Sequence, residues 1–258
     1  MRKVRLIAFL FFISTILTKC GGNKSSSAFP IQKQYWTPDD YESVNEELTS
    51  LKYNNKELPN LDNPGNSAVF RKIVDTTNFT IVANDNQLGL EHRKEFLSKL
   101  FEQYRQLNDE YTGTDRSDKY QYPVELIEVE RFGMALQIYY TQTTNESIVK
   151  DADDPNSAQV VDIVNRNKNI LINNYGLYLE HINHEDRFND KALASLSEGM
   201  GLFFPRLINE VAPNGDYADM LTKIDNMLKK SKNPLIITQL QNIQNLIKTK
   251  SNVPKPAS

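Results

Sequence analysis

From Leu88 to the end of this 258-residue chain, apolar residues recur at three- and four-residue intervals, and that period excludes most architectures. Leu97, Leu100, Phe101, Tyr104, Leu107 and Tyr111 form one helical stripe, closed by Gly113. Pro123 opens a second, where Leu126, Val129, Phe132, Leu136 and Tyr140 are joined by Ile127, Met134 and Ile138. Apolar cover that wide predicts a central helix with neighbours on several sides. In the third, Asp154 is the expected cap and Pro155 the first helical residue. Its stripe runs through Val160, Val164, Ile170 or Leu171, Tyr175, Tyr178 and Ile182 toward Glu185, a helix of roughly 45 Å. Asn189 caps a fourth, with Leu193, Leu196, Met200, Phe203, Leu207 and Val211. Pro205 falls inside it, but its ring would press on the carbonyl of Gly201, so a kink is expected rather than a break. Two further helices are expected near 216–230 and, after Asn233-Pro234, near 235–249.

Toward the N-terminus, Thr37, Pro38, Asp39 and Asp40 open a helix over 37–48, and Pro59 and Pro64 mark a loop. The stretch 69–83 reads two ways. Phe70, Ile73, Val74, Thr77 and Ile81 keep a helical spacing, whereas Phe79-Thr80-Ile81-Val82 allows one short hairpin or strand. Helix is the expectation. The chain is therefore predicted to be all-α, a helical bundle of about seven to eight helices in one domain over 36–250, with a tail at 251–258.

Cys20 is the single cysteine, so no internal disulfide and no thiolate metal cluster can form. What surrounds it is an address. MRKVR carries three positive charges, and LIAFLFFISTIL follows with twelve uncharged residues, too short for a comfortable membrane span. The following LTKC resembles the lipobox of bacterial lipoproteins, in which a peptidase cuts before a cysteine that is then acylated. Leu17 matches the apolar position and Thr18 suits the next, while Lys19 departs from the usual small residue, as the looser lipoboxes of spirochaetes and Bacteroidetes allow. The resemblance covers only about the first tenth of the chain. It implies a signal peptide over 1–19, a lipid on Cys20 and, in GGNKSSS, the start of a flexible tether over 20–35. The competing reading is an ordinary secretory signal or an uncleaved anchor with an incidental cysteine, which gives a secreted or anchored protein. Gly22 lacks the acidic signal that retains some lipoproteins at the inner membrane, so the resemblance points to the outer membrane.

Removing residues 1–19, which carry Arg2, Lys3, Arg5 and Lys19 and no acid, takes the net charge from −3 to −7. A body of that sign has no general attraction to nucleic acid. The partners expected are the membrane, through Cys20, and an envelope protein or small ligand held between helices.

EHINHED, residues 180–186, concentrates the metal-type ligands: His181 and His184 three apart, with Glu185 beside them. A divalent transition metal there is the alternative function. Neither the zincin spacing nor the Glu-x-x-His of di-iron bundles is present, and a solvated helix end explains the same residues. No GxSxG elbow accompanies a serine. SEGMG, 197–201, lies within an apolar stripe and reads as small residues admitting a neighbouring helix. Glu125, Glu128 and Glu130 read as a solvated face, with Glu128 and Arg131 at ion-pair spacing. Tyr35 and Trp36 either staple the first helix to the body or form an exposed aromatic contact, and the staple is the expectation. With no catalytic set and no cofactor indicated, a binding or structural protein of the envelope is expected rather than an enzyme.

Overall fold

A computed structural model describes residues 29–112 and 120–251. The expected signal peptide, Cys20, most of the expected tether, Gly113 and the last seven residues lie outside the described residues. Nine α-helices follow in order among them: α1 Pro38–Tyr53, α2 Ser67–Ile73, α3 Thr77–Ala83, α4 Leu90–Thr112, α5 Pro123–Lys150, α6 Ala158–Tyr178, α7 Asp190–Arg206, α8 Ala218–Leu228 and α9 Pro234–Ser251. The fold is an all-α helical bundle.

Local chemistry sets the element ends. At α1 the Thr37 hydroxyl accepts from the Asp40 N–H at 3.4 Å, and the Asp40 carboxylate accepts from the Thr37 N–H at 2.9 Å. This reciprocal box satisfies two donors that the helix leaves open. Asn189 caps α7 as expected, its Oδ1 accepting from the Ala192 N–H at 2.9 Å. Over 69–83 the helical reading holds and the strand does not. Phe70, Ile73 and Phe79 are fully buried from two short helices, and the Asp75 carboxylate between them accepts from both the N–H and the hydroxyl of Thr77. A side chain that bonds backbone two residues on makes a turn, and here it divides what would be one helix.

The third stripe begins and ends differently from expectation. Asp154 Oδ1 accepts from the Asn156 N–H at 3.0 Å, closing a local turn, and Ser157 caps α6 instead. After Tyr178 the chain tightens into a 3₁₀ stretch, Leu179–Arg187, with His184 out of helical geometry at φ −126° and ψ 26°. Pro205, by contrast, leaves α7 continuous. The helix widens just beyond it into a π turn, Leu207–Val211, where the Ala212 N–H reaches back to the Leu207 carbonyl at 2.8 Å.

α5 divides the interior into two cores. Ile127, Met134 and Ile138 face Tyr175, Leu196, Phe204, Ile224 and Leu240 from α6 to α9. Val129, Phe132 and Leu136 face Trp36, Tyr41, Phe70, Phe79, Leu100 and Leu107 from the N-terminal half. Burial of each such side chain contributes about 1.5–3 kcal/mol, which is why one helix can anchor both halves. Two glycines permit the close approaches. A Cβ on Gly133 would lie 2.0 Å from Tyr104 Cζ, and one on Gly199, within SEGMG, 2.3 Å from the Tyr178 hydroxyl. No helix among the described residues is long and apolar enough to cross a membrane.

Candidate binding groove between α4, α5 and α6

The side chains singled out in EHINHED point three ways. The 3₁₀ stretch turns His181 inward, where it is 7 % exposed and its Nε2 lies 2.6 Å from Glu130 Oε2 of α5. Phe188 packs edge-on against the imidazole. His184 sits against the Tyr120 ring with 5.9 Å between centroids. Glu185 accepts from the Ser231 hydroxyl at 2.7 Å and the Lys232 N–H at 2.6 Å, tying the stretch to the α8–α9 connection. Among the described residues no group of three or more His, Cys, Asp or Glu is gathered in a way that could hold a metal ion. The solvated-end reading holds for Asn183, His184, Asp186 and Arg187, which are exposed, but not for His181, which is buried in a bond to another helix.

The α5 carboxylates also differ from a solvated face. Glu125 is 5 % exposed and accepts from the Leu61 N–H at 2.7 Å. Glu128 holds Arg131 at 2.8 Å, the pair expected from their spacing, and also accepts from the Ser195 hydroxyl at 2.6 Å. Each acid is committed to a different partner, so the three do not form an acid–base pair.

Glu130 opens onto a groove. Its floor is α5, its walls are α4 and α6, and it consists of two adjoining hollows of about 440 and 230 Å³ that share Phe101, Gln137 and Asn174. Glu130 lines one end and Thr144 the other, fourteen residues or roughly 21 Å apart along the helix. At the centre the Gln137 carbonyl accepts from the Asn174 amide at 2.7 Å, strapping α5 to α6. The smaller hollow is mainly apolar, lined by Phe101, Tyr140, Ile170 and Leu171. Phe101 and Tyr140 lie nearly parallel there, 5.4 Å apart with 13° between planes. The larger holds both charged groups of the groove, Arg105 and Glu130. Burial, reinforced by the nearby Glu130 carboxylate, pushes the Tyr104 phenol far above its ordinary range, and it stays a neutral hydroxyl.

One feature marks this groove as suited to a ligand. Along the α6 rim, Ile170 is 53 % and Leu177 62 % exposed, one above the other two turns apart. The arrangement fits a ligand about 20 Å long or shorter, apolar at one end, polar at the other and of little net charge.

Sequence reasoning passed over these residues, although a signal existed. Gln137, Thr141 and Thr144 recur at four and three residues along α5, and Asn167 and Asn174 repeat at seven on its neighbour. The Tyr35–Trp36 pair splits between its two readings. Trp36 is fully buried, its backbone N–H donating to Asn78 Oδ1 at 2.9 Å and its indole N–H to the Pro30 carbonyl at 3.0 Å. Tyr35 is left 41 % exposed. Compared with protein-family profiles, with curated proteins and with solved structures, the chain matches none.

Proposed function

We propose that this chain is a lipid-anchored protein of the bacterial cell envelope whose helical body acts by binding, with the α4–α5–α6 groove as its ligand site. The observation that carries the anchor is the order of segments at the N-terminus: basic residues, an uncharged run, LTKC and then GGNKSSS before the first helix. In this reading residues 1–19 are removed, Cys20 is acylated, and the body hangs from the outer membrane on a short tether. Two or more acyl chains hold a protein stably where one alone is marginal. The partly apolar, nearly uncharged groove favours a small envelope molecule or peptide over nucleic acid, in keeping with the acidic body.

Metabolic labelling with a traceable fatty acid tests the anchor. Label on the native chain that disappears in Cys20→Ala supports it, and an unlabelled native chain removes it. The groove is tested with an anilinonaphthalene sulfonate dye, whose rings suit the apolar hollow and whose sulfonate suits Arg105. Saturable binding weakened about tenfold by Ile170→Asp, equivalent to about 1.4 kcal/mol, supports the site. Equal binding by both proteins contradicts it.

A further inference from the structure

A second hollow lies where the chain leaves the body. Phe29 packs on the N-terminal core, and the Trp36 indole bond to the Pro30 carbonyl pins the segment between them. Beside that segment, Tyr35, Ile81, Leu88 and Phe96 line an open groove of about 600 Å³ between α1, α3 and α4. Tyr35 and Ile81 are 41 % and 49 % exposed.

We propose that this face lies against the bilayer that holds Cys20, its occupant being the surface of zwitterionic phospholipid. The inference rests on the anchor reading and adds to it an orientation of the body. Eight residues lie between Cys20 and Phe29, nine Cα steps, so the exit point stands at most about 32 Å from Cys20. Tyrosine prefers the headgroup level, where its ring meets apolar matter and its hydroxyl stays wet, and Ile81 supplies aliphatic surface beside it. The charges around the hollow argue for a zwitterionic partner. Asp39, Asp85 and Glu95 outnumber Lys99, which is already paired with Glu95 at 2.9 Å. A surface with that acidic excess gains nothing from anionic lipid. Its apolar contact would be weak alone, but a tether this short raises the local concentration of membrane to about the millimolar range.

The test uses the chain beginning at Cys20, whose only thiol is coupled to a maleimide-headed lipid in phosphatidylcholine vesicles. Hydrogen exchange is compared with the same chain, thiol-capped, mixed with plain vesicles. Amides of 31–37 and 77–88 are expected to exchange at least about threefold more slowly when tethered. The slowing should persist in roughly 0.5 M salt, where charge attraction is screened within a few ångströms. It should vanish in Tyr35→Asp/Ile81→Asp, exposed changes checked for an unaltered melting curve. No slowing, slowing confined to the Ile170–Leu177 rim, or slowing only with anionic lipid would overturn the proposal. Because the coupling is chemical, the outcome does not depend on acylation in cells. A failed fatty-acid labelling and a failed membrane face are thereby told apart.

Discussion

At Gly133 the packing of α4 against α5 leaves no room for a methyl group. The Tyr104 ring occupies the space a Cβ would take, within 2.0–2.3 Å of it. Gly133→Ala is therefore expected to lower stability by about 1–3 kcal/mol, read as a fall in the urea midpoint. The loss should be smaller on a Tyr104→Ala background, because the obstructing ring is gone. Asp40 makes a different kind of contribution. Burial would raise its carboxyl pKa, but the hydrogen bonds from Lys33 and Thr37 and the Lys33 charge outweigh burial and hold it below the usual value. A group lowered on folding stabilises above its unfolded pKa, near 4, and that stability is lost as pH falls through the folded value. Asp40→Asn should lower the melting point at pH 7 by an amount corresponding to about 0.5–2 kcal/mol. The gap between variant and parent should close as pH falls from near 4 through the lower folded value. The α1 box was legible in the sequence because its partners are three residues apart. The His181–Glu130 bond was not, since it joins residues 51 apart and depends on where the helix turns.

Among the elements, α6 shows how far periodicity carries and where it stops. Its stripe continues from Val160 to Tyr178 without a change of spacing, yet no residue of α6 before Leu171 is buried. Val160, Ile163 and Val164 are half-buried, and Val161 is 47 % exposed. Spacing gave the helix and its face, but not the length over which a neighbour covers it, and the start of α8, with Gly215 just before it, stands beside Ile172. Amides of 162–170 should consequently exchange with solvent well before those of 171–178, which share the core with α5 and α8. Equal protection along α6 in native-state exchange would contradict this. The end of α6 was likewise hidden. A 3₁₀ stretch keeps enough of the helical spacing that Ile182 continues the stripe, so only the inward turn of His181 reveals it. α5 was the most legible element, since its wide apolar cover required partners on two sides and each proved to be a separate core.

At the scale of the whole molecule, the α5 helix joins two cores, the groove runs along one flank, and the chain leaves beside a second hollow. The bundle could be read from the sequence because each helix announces its own period and caps. The groove could not, because a groove is the space between helices whose relative placement no local pattern states. The proposed address rests on residues 16–27, where Lys19 stands in the position usually taken by a small residue. Intact mass spectrometry of the protein extracted from the membranes of a bacterium that processes lipoproteins bears on that most directly. The expected species is the chain from Cys20 to Ser258 carrying the mass of a diacylglyceryl group or more. A full-length chain, or one cut at another position without added lipid, would contradict the anchored reading.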